Sequence, residues 1–241
     1  MKISGKGGID AGEYKDILSV KGSAKINGDV QCKGLEASGS VKSLGNITAA
    51  ENVKVSGKIS SEGSVDAGGD INFSGSAKFD GAIISKKDIS ALGKLVCGKN
   101  VKCNSLKVKG SFEGSEDIEA EDVSVSGSIK CNGFINAESA KIAFSGKKNE
   151  ISGIGGTRIY ISFGGLASKV LPTALSAAIA TRLRVKESIE GDIVSVSHVI
   201  APEITGRVVN IGKCCEIEKV FYTESITIDP DATVKNFEKI S

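Results

Sequence analysis

Val53 opens the stretch V-K-V-S-G-K-I-S-S-E-G-S-V-D-A-G-G-D-I-N-F-S-G-S-A-K-F-D-G, which runs to Gly81. One parity carries Val53, Val55, Gly57, Ile59, Ser61, Gly63, Val65, Ala67, Gly69, Ile71, Phe73, Gly75, Ala77, Phe79 and Gly81, and the other is mostly Lys, Ser, Asp, Glu and Asn. A period of two means extended chain with one buried face. Glycine on every sixth residue cuts that strand into short segments, each ending where the backbone must turn. A flat sheet would not tolerate so many glycines, whereas a solenoid uses each one as a corner between two sides of a coil.

The same frame extends in both directions. Leu18, Val20, Gly22, Ala24, Ile26, Gly28, Val30, Cys32 and Gly34 share the apolar parity upstream. Val55-Ser56-Gly57, Phe73-Ser74-Gly75 and Ala91-Leu92-Gly93 are 18 residues apart, and Ser38-Gly39 stands 18 before the first of them. Val108-Lys109-Gly110 and Val125-Ser126-Gly127 follow at 17, then Phe144-Ser145-Gly146 at 19. Three hexads per coil predict an all-β, three-sided β-solenoid of about 18 residues per coil, with single-residue slips taken up at corners such as Asn52, Asn100, Asp122 and Ser139. Stacked coils align Ser61, Phe79, Cys97, Gly114 and Cys131 in one interior column, and Ala67, Ser85, Cys103, Ala120 and Ala137 in another. These narrow columns leave little room for large aromatics.

Composition agrees with this frame. The 241 residues include 30 glycines, three prolines, no tryptophan and 5% aromatics, and 40% of the chain is apolar. Lys and Arg number 31 against 29 acidic residues, interspersed along the chain, so no linear basic run marks a nucleic-acid partner. No segment reaches the roughly 18 apolar residues of a membrane span and no signal peptide is visible, so the expected location is cytoplasmic. Six cysteines at irregular spacing fit small buried thiols in a reducing compartment.

The expected organisation is a flexible amino-terminal segment over 1–16, a regular solenoid over 17–146, an irregular insertion with a strand and a helix over 147–184, and carboxy-terminal coils over 185–237. The helix is a segment of about twelve residues within Ala167–Arg184, because Pro172 precedes a glycine-free run with Leu175, Ile179 and Leu183 at every fourth residue. It is expected to pack on or cap the solenoid. Its Lys169, Arg182 and Arg184 also allow weak peripheral association with a membrane.

The residues offer little chemistry. His198 is the only histidine, in the strand-like run S-V-S-H-V-I, so a histidine-rich metal site is excluded and a triad would rest on it alone. Cys214 and Cys215, adjacent in an extended strand, would point to opposite faces. Gly153–Gly156 and Gly164-Gly165 lack the G-K-[ST] ending of a phosphate loop. No catalytic residue, cofactor or metal is expected. A polysaccharide-cleaving β-helix would need paired carboxylates in a groove framed by long loops, and these corners are tight. A hexapeptide-repeat acyltransferase shares the 18-residue coil, but the regular coils here hold no histidine.

The opening G-E-Y-K-D-I-L-S-V-K-G-S-A-K-I-N-G-D-V-Q-C from Gly12 to Cys32, the V-S-G-x-I repeats to Gly146 and the tail C-E-I-E-K-V-F-Y-T-E-S-I-T-I-D-P-D-A-T-V from Cys215 to Val234 resemble the bactofilins, bacterial polymer-forming cytoskeletal proteins, in their longer Gram-positive form. The resemblance implies a right-handed β-helix that polymerises through its ends without nucleotide and serves cell-envelope, morphogenesis or motility proteins. It places polymer contacts on Ile17, Leu18, Val20 and Ile26 at one end and on Phe221, Tyr222, Ile226, Ile228 and Val234 at the other. The alternative is a monomeric or small-oligomer adaptor that binds other proteins through a flat solenoid face or the 167–184 helix.

Overall fold

The computed structural model describes residues 1–146, 148–164 and 181–241. All regular structure among them is β, in 18 strands joined by parallel pairings. The chain divides into two compact units, Met1–Ala120 and Glu121–Ser241.

In the first unit each coil supplies three short parallel ladders. β5 (Val53–Ser61) pairs with β7 (Ile71–Phe79) across Val53↔Ile71 and Ser61↔Phe79, and bends at Gly57; β6 (Val65–Ala67) pairs with β8 (Ile83–Ser85). The first face thus holds positions such as 53–55, the second 59–61 and the third 65–67. Each contributes two inward residues per coil, and Val53, Val55, Ile59, Ser61, Val65 and Ala67 are all buried. The predicted columns are present: Ser61, Phe79, Cys97 and Gly114 follow one another in register.

Glycine is obligatory at the first corner, between the first and second faces. Gly22, Gly39, Gly57, Gly75, Gly93 and Gly110 all have φ between 117° and 134°. A Cβ on any of them would also collide with the carbonyl oxygen of the corner glycine one coil earlier, so the coils close to sheet spacing only because the column has no side chains. The second corner relies on side chains. The Asp29 carboxylate accepts from the backbone N–H of Asn46 at 2.7 Å, Asn46 Oδ1 accepts from Ser64 N–H at 2.9 Å, and Ser64 Oγ accepts from Ala82 N–H at 3.0 Å. The inward residue before that corner reaches round it, as Ser61 Oγ does in donating to Gly45 O at 2.9 Å. Cys97 Sγ makes the corresponding contact with Gly81 O at 3.4 Å. This is why small polarisable residues suit an otherwise apolar column: they satisfy backbone groups that burial would leave unpaired.

Three expectations change. Within the segment expected to be flexible, 1–16, Lys2–Ile9 is strand β1, paired with β2 (Gly12–Ile26) from Lys2↔Ser19 to Ile9↔Ile26. Its Gly5 stands over Gly22 as a further corner glycine, and Ile9 is buried.

Asn149–Phe163, expected in the irregular insertion, forms β13, an ordinary coil of the second unit. It pairs with β12 (Ile118–Phe144) and β15 (Ser188–Val196), with Ile151, Ile154, Ile159 and Ile161 buried. Buried Asn149 secures the enlarged corner before it, accepting from Ile129 N–H at 2.9 Å and donating to Gly146 O at 2.9 Å.

Most of the expected 167–184 helix lies outside the described residues. Its last part, however, belongs to strand β14 (Leu183–Val185), whose Leu183 and Val185 point inward and whose Leu183 is in register with Asn149 on one side and Val199 on the other. Burial on two alternate positions and a partner on each side override the four-residue spacing that Leu183 completes. Phe163 ends a first-face ladder and Leu183 begins a second-face one, so the chain leaves and re-enters the coil frame at the same corner.

Replacing Gly75 by Ala forces both a left-handed backbone and a backbone clash, and is expected to cost at least about 3 kcal/mol. Gly146 has φ 78° with open space around it, so Gly146→Ala should cost only about 1–2 kcal/mol. Urea unfolding of the two variants measures the difference.

Candidate functional site: the terminal coil edges

A solenoid exposes unpaired backbone donors and acceptors at its first and last coils. In the first unit that edge is β1 over the first two faces and Gly12–Tyr14 over the third, where Gly12 is in register with Val30 and Tyr14 with Cys32. Tyr14 folds over locally, its hydroxyl donating to Asp10 O at 2.8 Å. The inward positions of β1 are Ile3, Gly7 and Ile9, so the edge is thin in apolar side chains. Leu18, Val20 and Ile26, placed at this end by family resemblance, are one coil deeper and buried beneath β1; Ile17 is half-buried. A contact between chains at this edge therefore meets β1 first.

The last coil of the second unit is different. Ser225–Ile228, in the last part of β17 (Glu216–Ile228), forms the edge on the first face, and β18 (Thr233–Lys239) forms it on the other two. Its inward side chains continue fully developed apolar columns: Val209 leads to Ile226, Ile211 to Ile228, Ile217 to Val234 and Val220 to Phe237. The inner member of each pair is at most 2% exposed. The outer members are uncovered: Ile226, Ile228 and Val234 are half-buried and Phe237 is 57% exposed.

Phe221 and Tyr222 lie one coil further in, opposite Glu238 and Lys239. Phe221 lines a shallow depression with Lys219, Asn236 and Phe237 on the third face. The structure thus brings Ile226, Ile228 and Val234 to the edge, moves Phe221 and Tyr222 behind it, and adds Phe237, which sequence reasoning missed. The signal was available: Phe237 stands 17 residues after Val220, the spacing of the coils before it.

The titratable groups serve the corners. His198 is at a bend with φ 58°, between β15 and β16 (Val199–Ile211), where the first unit has glycine, and Cys214 with φ 60° fills the next such corner. The strand-like reading of His198 is thereby corrected. Its ring lies over Phe163 with centroids 5.5 Å apart. Burial, then the Lys213 and Arg182 charges, push its pKa below the usual imidazole value. Cys215 is buried and Cys214 half-exposed, the opposed orientation expected from their adjacency. Burial raises the thiols of Cys97 and Cys215 to about 11 and that of Cys103 to about 12, which holds all three protonated, poorly nucleophilic and unsuited to metal at neutral pH.

No family model and no solved structure matches the chain. A 54-residue stretch is 39% identical to the uncharacterized protein YhbE of Bacillus subtilis (strain 168), covering 22% of this chain and 23% of that protein. The match therefore spans about a quarter of the relative's length.

Because His198 titrates lower when folded than when unfolded, its neutral form is the folded one. Its contribution to stability is complete above the unfolded pKa, about 6.5, and is lost as pH falls through that value toward the folded pKa. Thermal unfolding between pH 7.5 and 5.5 should show a falling Tm. His198→Asn, which tolerates the left-handed corner, should flatten that dependence.

Proposed function

We propose that this protein is a non-enzymatic structural protein that assembles end to end into a bactofilin-like polymer or scaffold, without nucleotide. The observation that carries the reading is the uncovered apolar edge of the last coil, where four interior columns end on Ile226, Ile228, Val234 and Phe237 beside an unpaired strand. A monomeric solenoid gains by covering such an edge with a charge, a bulge or a helix. Here the inward-facing Phe237 is the reverse of such protection.

Another coil laid on this edge would continue every column and pair β18 along its open side. The energy comes from apolar burial and ladder hydrogen bonds, neither of which needs a nucleotide or a metal. The acceptor has coils of the same spacing, which makes a second copy of the chain the natural partner. The right-handed sense of the coil, a cytoplasmic location and service to envelope, morphogenesis or motility proteins belong to this same reading and rest on the family resemblance.

Phe237→Asp places a carboxylate on the apolar edge while leaving the inner columns intact. Sedimentation velocity and negative-stain microscopy of the full chain should show assemblies for the wild type and single particles for the variant, with unchanged β-type circular dichroism. Wild-type protein that stays monomeric across concentration and salt would remove the proposal, and unchanged assembly of Phe237→Asp would remove this edge from it.

A further inference from the structure

Coiling sorts the charges of the first unit. Along the sequence they alternate in sign, yet each of the first six second-face levels presents one lysine outward: Lys6, Lys25, Lys42, Lys58, Lys78 and Lys94. The first face, joined to the second through the glycine corner, adds Lys2, Lys21, Lys54, Lys107 and Lys109. The carboxylates on these two faces are Glu36 and Glu113 alone.

The remaining acidic residues of the unit lie on the third face and its two bounding corners. Glu13, Asp66 and Glu119 are on the face; Asp10, Asp29, Glu62 and Asp80 are among those at one corner, and Asp16, Glu51, Asp70 and Asp88 stand at the other. A unit close to neutral overall is therefore basic on one side and acidic on the opposite side.

Some of this charge is neutralised locally. Lys42 meets Glu62 at 3.5 Å, Lys78 meets Asp80 at 2.9 Å and Lys94 meets Glu113 at 2.8 Å. Lys2, Lys6, Lys21, Lys25, Lys54, Lys58, Lys107 and Lys109 have no ion pair among the described residues, and all are exposed. The basic side has no arginine and no aromatic side chain pointing outward, so it lacks the forked and stacking groups that read nucleic acid. It is a flat array of point charges repeating at the coil spacing of about 4.8 Å.

We infer that the basic side of the first unit docks on the acidic side of the first unit of a second copy, in a lateral contact distinct from end stacking. The same chain carries the complementary charges at the same coil spacing, so many weak pairs can form together. Each exposed pair contributes little alone, about 0–1 kcal/mol, and the array acts through number and steering. Such a contact is heterologous, with different patches meeting, and so can repeat sideways. It rests on charge, whereas the end contact rests on apolar burial, and the two fail under different conditions.

The test uses a zero-length carbodiimide cross-linker, which joins lysine to carboxylate only at contact, on an equal mixture of unlabelled and 15N-labelled full-length protein. Mass spectrometry should find mixed-isotope links from lysines such as Lys21, Lys58 and Lys109 to carboxylates such as Glu13, Asp16 and Asp66. These links should fall at least about tenfold between about 0.05 M and 1 M salt, where the screening length shrinks to roughly 3 Å. They should survive Phe237→Asp, which separates this contact from end stacking.

Lys21→Glu/Lys58→Glu/Lys109→Glu, and separately Glu13→Lys/Asp16→Lys/Asp66→Lys, should each lose the links while keeping β-type circular dichroism. Mixing the two variants should restore links between them. Links absent from the wild type, insensitive to salt, or not restored in the mixture would overturn the inference. So would binding of the basic side to phosphatidylglycerol vesicles without intermolecular links, which would make an anionic lipid surface its partner.

Discussion

At the first corner of each coil in the first unit, the carbonyl oxygen of one glycine occupies the space that a Cβ on the next would need. The rest of that unit follows from this contact. It sets a left-handed bend that a side chain would strain, and it lets successive coils approach to hydrogen-bonding distance. It therefore fixes where each ladder begins, which residues face inward, and the register that stacks Val on Ile and Ser on Phe. The second corner adapts more readily, because Asp29, Asn46 and Ser64 pass a hydrogen bond from coil to coil through side chains that differ in length. A side-chain ladder at one corner and a glycine column at another explain how coils of 17 and 18 residues share one core.

The second unit solves the first corner differently. A left-handed His198 and Cys214 stand at it, an enlarged turn held by Asn149 serves the same end, and an excursion of the chain starts after Phe163 and returns at Leu183. Insertions collect here because a corner can lengthen without shifting the ladders on either side. The buried columns continue through Ile151, Ile154, Ile159 and Ile161 into Ile189, Val194 and Val196. Loss of the glycine marker is thus compatible with an intact coil.

This difference explains what the sequence made legible. The two-residue alternation and the recurring glycine carried the regular coils, their three ladders and their columns, because a backbone constraint repeated at fixed spacing leaves a visible pattern. The first coil was missed because Lys2–Ile9 is mostly glycine and charge, although Gly5 stands 17 residues before Gly22. Asn149–Phe163 was read as irregular because the marker disappears from its corner. The terminal edge was partly visible: Ile226, Ile228 and Val234 were named, but Phe221 was preferred to Phe237 because linear hydrophobicity does not tell an inward side chain from one on a face. The sorting of charge could not be read linearly, since it appears only when residues 17 or 18 apart are placed side by side.

The edge of the last coil and the charged sides of the first unit divide two tasks between two kinds of force. Apolar columns favour growth along the stack and are insensitive to salt, whereas lysines and carboxylates act sideways and are screened by it. Diffraction from aligned assemblies of the full chain tests stacking most directly. Coils that continue from one molecule to the next give a sharp reflection at about 4.8 Å along the fibre axis. Assemblies without that axial reflection, or with it only across the axis, would contradict end-to-end stacking.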